Sequence, residues 1–333
     1  MEKKSLMKRL TSSREMSLVL VLILLCAFIQ FRNPSFLTPA TIGELFKNYT
    51  VTFIIAVGMM LILLIGGIDI AVGSTLGFSG MTASLILRDN PGLPTILIML
   101  ISIVVGLICG LIIGLIITYG KVPAIICTMG AMNIYRGMAY LVAKSQWVAA
   151  YQFSDNYKAF AQSKNLSFGL LNNLVTVMIL IYVIFFIVMK WTSAGRKVYA
   201  VGSNVEAATV SGIRVNKVKV TCYAVLGTLC GLGGALYTSL YASAQGNMGE
   251  GMEMDVIAAC VVGGVSMTGG RGSVVGVFLG ALILSIIGKG LPLIGVSQFW
   301  QTAIKGLIIL VAVIVNVMTQ RQMEKAALKG REI

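Results

Sequence analysis

Gly66-Gly67-Ile68-Asp69-Ile70-Ala71-Val72-Gly73-Ser74 sets a carboxylate and three glycines at the meeting of two apolar runs, Tyr49 to Ile65 and Val72 to Leu87. An aspartate at the centre of a membrane helix costs about 2.5 to 3.5 kcal/mol on insertion scales, so something must hold it. Asp69 is therefore a site candidate. The glycines loosen the helix and bare backbone polar groups, which a bilayer tolerates only where protein or a watery cavity satisfies them. Two readings are open: Asp69 lines a polar path, or it caps a neighbouring helix or pairs with a cation.

The surrounding chain has 333 residues, 57% hydrophobic and 11% charged, with mean hydropathy +0.91. That is too apolar for a soluble domain and predicts an all-α, polytopic membrane protein. Ten spans of about 20 residues use roughly 200, leaving loops and tails, so residues 1–333 read as one transmembrane domain. The net charge of +14 lies in loops between apolar segments, where it sets orientation in the bilayer and does not point to nucleic acid. Cys26, Cys109, Cys127, Cys222, Cys230 and Cys260 all fall in apolar runs and never as Cys-x-x-Cys, so they read as packing residues without metal or disulfide spacing. The sequence has no histidine, which excludes imidazole acid/base chemistry and His-ligated metals.

Ten segments follow in order. A basic start (Lys3, Lys4, Lys8, Arg9, Arg14) runs into Met16 to Phe31, read as an uncleaved first helix. Thr38 caps a short segment from Pro39 to Lys47 that leads into the second span, Tyr49 to Ile65. Helix three, Val72 to Leu87, is closed by the turn Arg88-Asp89-Asn90-Pro91-Gly92. Helix four, Thr95 to Thr118, carries Gly106, Gly110 and Gly114, a small face that admits another helix closely; Gly227 and Gly231 of helix seven, Val220 to Tyr241, repeat the spacing. Helix five, Ala124 to Ala143, contains Asn133, Tyr135 and Arg136, and the arginine either snorkels to the interface or faces a polar path. The aromatic loop from Lys144 to Gly169 suits an interfacial belt, and helix six is Leu171 to Met189. A basic loop, 190–219, precedes helix seven. An acidic loop, Gln245 to Asp255, precedes a short helix eight, Val256 to Met267, and helices nine and ten are Val274 to Ile287 and Phe299 to Val317. Gly66-Gly67 followed by Gly73-Ser74 is echoed by Gly263-Gly264 followed by Gly272-Ser273. Transporters contain repeats of broken helices, but this topology sets both breaks on one side, which does not fit an inverted repeat.

With the N-terminus inside, the cytoplasmic segments carry more than twice the cations of the outer ones, so both termini are expected in the cytoplasm. This orientation sets the 190–219 loop inside and the Glu250 loop outside. It also sets the Gly66 to Ser74 break toward the cytoplasmic end of its helices, a cheaper depth than the midplane, where Asp69 would anchor a flexible elbow.

Within the basic loop stands Gly195-Arg196-Lys197-Val198-Tyr199-Ala200-Val201-Gly202-Ser203-Asn204-Val205-Glu206-Ala207-Ala208-Thr209-Val210-Ser211-Gly212-Ile213. Asn204 is a helix cap, Glu206 suits a first turn and Gly212 is a terminator, which predicts a short helix from Val205 to Ser211. Such a helix either lies in a groove on a cytosolic partner or is a plain amphipathic linker.

Glu206-Ala207-Ala208 with Gly212 four residues later resembles the Glu-Ala-Ala-x-x-x-Gly coupling motif of ATP-binding-cassette importer permeases, without the Leu-Pro ending of its longer form. With Gly66 to Ser74, and with Ile257-Ala258-Ala259 through Gly263-Gly264 to Gly269-Gly270-Arg271-Gly272-Ser273, the chain is similar over nearly its whole length to the monosaccharide permeases of the ribose, xylose, rhamnose and autoinducer-2 class. The resemblance implies a multi-pass subunit of a bacterial cytoplasmic membrane, paired with itself or a sister chain. It implies cytosolic ATPases engaged through Gly195, Arg196, Asn204, Glu206, Ala207, Ala208 and Gly212. An extracytoplasmic solute-binding protein would meet Glu250, Glu253 and Asp255. Helix breaks and a translocation path would involve Gly66, Gly67, Asp69, Gly73, Ser74, Asn133, Arg136, Gly263, Gly264, Gly269, Gly270, Gly272 and Ser273. No cofactor or metal is expected on this chain: the nearest approach to a phosphate-binding loop, Gly114 to Gly120-Lys121, has one residue too many and Val122 where Ser or Thr should bind magnesium. ATP and magnesium then belong to partner subunits.

A cation-coupled secondary sugar carrier is the alternative, and it would need intramembrane carboxylates, of which Asp69 is nearly alone. A membrane enzyme is a third, short of groups for acid/base work. Tyr135-Arg136-Gly137 followed by Trp147-Val148 leans toward rhamnose or autoinducer-2 over ribose. Asp69→Asn is expected to impair transport more than membrane insertion.

Overall fold

The computed structural model describes residues 14–308 except 168, 170 and 298, together with 310, 311, 314 and 318. Helix ten beyond these, the C-terminal tail and the basic start before Arg14 lie outside the described residues.

The helices are α1 (Arg14–Arg32), α2 (Pro39–Leu64), α3 (Val72–Asp89), α4 (Thr95–Tyr119), α5 (Ala124–Val142), α6 (Asp155–Gln162), α7 (Asn173–Trp191), α8 (Ser193–Ser203), α9 (Val205–Val210), α10 (Val215–Tyr241), α11 (Met252–Val262) and α12 (Val274–Leu293), and residues 299–308 are also helical. Among the described residues, α1, α2, α4, α7, α10 and α12 are long and apolar enough to cross a membrane. An all-helical, multi-pass architecture is therefore met. The remaining expected spans are too short or too polar to count by composition: α11 has 11 residues, α3 carries Ser74, Thr75, Ser79, Thr82 and Ser84, and α5 carries Asn133 and Arg136.

The core forms around α2. It is apolar on every side and buried from Val51 onward, as a helix hydrophobic all round must be. Its start is set by Thr38, whose hydroxyl accepts the Thr41 amide, with Pro39 at the first position, where a missing N–H costs nothing. The chain does not pause at Lys47; the expected separate segment is the first two turns of α2. At its centre Tyr182 packs edge to face on both Phe53 and Phe278, which are tilted to each other, and the Tyr182 hydroxyl donates to the Phe53 carbonyl at 3.0 Å.

The small faces of α4 and α10 meet each other. A Cβ on Gly106 would stand 2.3 Å from the Gly227 carbonyl oxygen, and the Ser102 hydroxyl donates to the Gly231 carbonyl at 2.6 Å. This backbone-to-backbone approach is how small residues bring membrane helices together without a hydrophobic driving force.

The aromatic loop after α5 is divided. Trp147 and Tyr151 are exposed, but Phe153 and Tyr157 stack on each other in the core. The Tyr157 hydroxyl donates to the Ala235 carbonyl at 2.8 Å, which ties α6 to α10. The expected aromatic belt is thus only partly a surface feature, because α6 folds back over the bundle. Val148 exchanges two backbone hydrogen bonds with Ala244, fastening this loop to the stretch that leads into α11.

Candidate functional site

Three stretches distant in sequence meet at one end of the bundle, where the 190–219 loop lies. The Gly270 amide donates to the Leu64 carbonyl at 2.8 Å, and the Tyr199 hydroxyl donates to the Gly272 carbonyl at the same distance. Gly202, near the end of α8, lies so close that a Cβ there would stand 1.7 Å from the Leu64 oxygen. The orphan carbonyl at the C-terminus of α2 is thereby satisfied by the Thr268 to Ser273 turn, and the loop helix α8 is packed against both. The turn begins earlier than expected, because α11 stops at Val262 and the Val265 amide closes back on Cys260.

The loop itself is two helices, not one. Thr192 caps α8 by accepting the Gly195 amide. A Cβ on Gly195 would stand 2.5 Å from the Met189 carbonyl, so Gly195 is buried against α7. Asn204 caps α9 by accepting the Ala207 amide at 2.9 Å. The helix ends with Gly212 at φ +79°: the Gly212 amide donates to Thr209 and the Ile213 amide to Ala208, a Schellman closure. Glu206 and Ala207 face outward, Ala208 is buried, and Val210 is 91% exposed. A rigid, capped helix therefore holds out a small apolar and acidic surface.

The chain after Leu64 turns back into the bundle. Gly66 turns the chain at φ +72° while the Gly67 amide closes back on the Ile62 carbonyl, and the irregular stretch that follows ends at Ala71, already in the helical region at φ -85°. One end of α11 adjoins the Leu64 junction, while at the other Gly73 meets the Gly249 carbonyl and the Glu253 carboxylate. The N-termini of α3 and α11 thus converge inside the bundle, pointing in opposite senses, and the Glu253 carboxylate lies where the positive end of α3 favours it.

Asp69 is 4% exposed and sits within this irregular stretch, among Cys127, Tyr135, Tyr223 and Cys230. Its Oδ1 accepts the Ala71 amide at 2.8 Å, and the Ser74 hydroxyl donates to the Ala71 carbonyl. Asp69 therefore shapes the entry to its own helix α3. The partner of the Gly66 to Ser74 break is accordingly the irregular stretch 242–251 before α11, and these two breaks have the opposed sense that the glycine echo lacked. Arg136 holds this second break: one guanidinium nitrogen, Nη1, donates to the carbonyls of Gly246 at 2.9 Å and Met248 at 2.6 Å.

A family model described as "Branched-chain amino acid transport system / permease component" matches residues 42–313. The chain belongs to this permease family. The permease is 38% identical over 296 residues to the ribose import permease protein RbsC of Bacillus subtilis, covering 89% of this chain and 90% of that one. It is 35% identical to the galactose/methyl galactoside import permease protein MglC of Escherichia coli over 91% of this chain and 94% of that one. Against the autoinducer 2 import system permease protein LsrC of an Enterobacter strain the identity is 31%, over 91% and 87%. No solved structure matches. The resemblance drawn from the motifs is borne out, and so is the reading of a transport subunit in place of an enzyme, since these relatives are named permeases.

Within the permease, Gly66, Gly269, Gly270 and Gly272 gather at the junction with α8, and Gly73, Ser74, Asp69 and Arg136 gather in the bundle centre. Gly67 lies between them, beside the Tyr223 hydroxyl, which also reaches the Ile68 carbonyl. Gly263 and Gly264 close the end of α11: a Cβ on Gly263 would stand 2.3 Å from the Gly276 carbonyl, where α11 crosses α12, and Gly264 takes φ +94° in the turn. Ser273 caps α12 and donates to Glu15. Asn133 faces outward on α5 and, among the described residues, its side chain bonds to its own helix at the Met129 carbonyl. Of the three acids assigned to one docking loop, Glu250 is exposed, Glu253 turns to Gly73, and Asp255 pairs with Lys305 at 2.9 Å. The latter two belong to the first turn of α11, because the helix starts at Met252, four residues earlier than its apolar run indicates. Sequence reasoning missed Gly202 and Tyr199; the glycine inside a helical pattern was the available signal.

Proposed function

We propose that this permease forms, with itself or a sister chain, the membrane path of an ATP-binding-cassette importer for a monosaccharide, by alternating access driven by cytosolic ATPases. The observation that carries the reading is the packing of α8 against the Leu64 and Gly270 junction, with α9 held out beside it. A partner that moves α9 moves α8, and α8 abuts the break that leads to Asp69 and α3. In this reading both termini and the 190–219 loop are cytoplasmic, and ten spans arise by counting α3, α5, α11 and the helix beginning at 299 with the six apolar ones. ATP and magnesium sit on the ATPase, and a solute-binding protein docks on the opposite side of the membrane.

The outward face of α5 bears Gly130, Asn133 and Gly137, whose open space and polar group suit a wall shared with a second permease subunit. Sugar would pass between the two subunits with no covalent step. The higher identity to ribose and galactose permeases than to the autoinducer 2 permease favours a simple pentose or hexose, against the lean taken from Tyr135-Arg136-Gly137.

Uptake of labelled ribose and galactose into vesicles holding the permease, its ATPase and its binding protein tests the reading. Uptake that needs ATP and the ATPase is expected. Uptake driven by an ion gradient without any ATPase would instead establish the secondary carrier.

A further inference from the structure

Beside the coupling loop, α7, α8 and α10 enclose a groove of about 610 Å³. Its walls are apolar, including Leu61, Phe185, Val188 and Val225, and its mouth carries Lys197, Arg214 and Lys217 with no acid among the lining residues. The three cations are exposed, and none of their side chains has a hydrogen bond or ion pair among the described residues. The groove opens beside the outward face of α7, where Leu180, Val183, Ile184 and Ile187 are exposed as lipid-facing residues are. Its depth is marked by Trp191, exposed and T-stacked on Phe186 with Lys190 over both rings, an arrangement that belongs at the headgroup level of a membrane.

We propose that the groove seats one anionic phospholipid, its acyl chain along the apolar walls of α7 and α10 and its phosphate on Lys197, Arg214 and Lys217. Apolar slots rimmed by cations between membrane helices take such headgroups. The choice of a lipid over a protein segment follows from charge and place: a cationic rim at headgroup depth, continuous with the lipid-facing side of α7. Since Gly195 and Val198 of α8 and Gly212 and Ile213 just after α9 also line the groove, a seated lipid braces the coupling helices from the membrane side. The inference is independent of the solute carried.

The test uses the full-length chain with Trp147 and Trp300 changed to Phe, so that Trp191, flanked by the lining residues Met189 and Ser193, is its single tryptophan. It is reconstituted in mixed vesicles of phosphatidylcholine and phosphatidylglycerol, with bromine on the chains of one lipid or the other. Brominated phosphatidylglycerol is expected to quench Trp191 in preference, with each cation contributing about fivefold to the preference. The preference is lost in Lys197→Gln/Arg214→Gln/Lys217→Gln and kept in Lys197→Arg/Lys217→Arg. Equal quenching by both lipids, or a preference that survives the triple substitution, overturns the proposal. Absence of quenching by either lipid also overturns it, since a protein surface then covers the groove.

Discussion

The Leu64 carbonyl accepts the Gly270 amide at 2.8 Å, so the last turn of the most buried helix is closed by a turn from the other half of the chain. An unpaired carbonyl at that depth costs about 1–3 kcal/mol, which makes the pairing structural as well as positional. It fixes the point from which residues 66–71 re-enter the bundle.

Asp69 acts through its oxygen in this arrangement. Asp69→Asn keeps an acceptor for the Ala71 amide, so transport is expected to survive it, contrary to the expectation drawn from the sequence. Asp69→Ala removes the acceptor and should cost about 1 kcal/mol, read as a lowered unfolding midpoint in detergent together with reduced uptake. Equal loss in both variants would mean that the charge itself is used.

Arg136→Met leaves the Gly246 and Met248 carbonyls without their donor. A loss of about 1.5–3 kcal/mol is expected, with increased proteolysis of the 242–251 stretch as the local readout. Arg136→Lys should recover part of it, because an ammonium can serve one carbonyl but fits two poorly.

Lys305 and Asp255 form a pair that is under a third exposed on both sides. A double-mutant cycle with Asp255→Asn and Lys305→Met should give a coupling energy of about 1–3 kcal/mol, measured by thermal unfolding. A coupling near zero would return Asp255 to the docking surface assigned from sequence.

Val210 is 91% exposed, so Val210→Asp should leave stability within about 0.5 kcal/mol. The same change should abolish co-purification of the ATPase with the permease. Retained co-purification would remove α9 from the ATPase contact.

The elements that sequence revealed are those with local causes. The cap at Thr38, the terminator at Gly212 and the apolar lengths of α4, α7 and α12 each follow from a few adjacent residues. The small face of α4 was also legible, and its partner on α10 shared the same spacing. What stayed hidden were relations between distant residues. Nothing near Glu253 announces that it will face Gly73, and nothing near Arg136 names the carbonyls of Gly246 and Met248. The matching of the Gly66 break with the 242–251 stretch escaped for the same reason: the second break has little of the first's glycine-pair pattern, and its opposed direction exists only in the fold. Gly202 looked like an ordinary helical residue until the Leu64 oxygen appeared beside it.

Gly202→Ala separates ATPase work from movement of the break. Vesicles holding the permease, ATPase and binding protein are assayed for ATP hydrolysis and sugar uptake side by side, after equal membrane insertion of variant and parent is verified. Because a Cβ at 202 displaces the Leu64 carbonyl, uptake per ATP should fall at least several-fold while binding-protein-stimulated hydrolysis continues. Uptake per ATP equal to that of the parent would contradict transmission through the α8 and Leu64 contact.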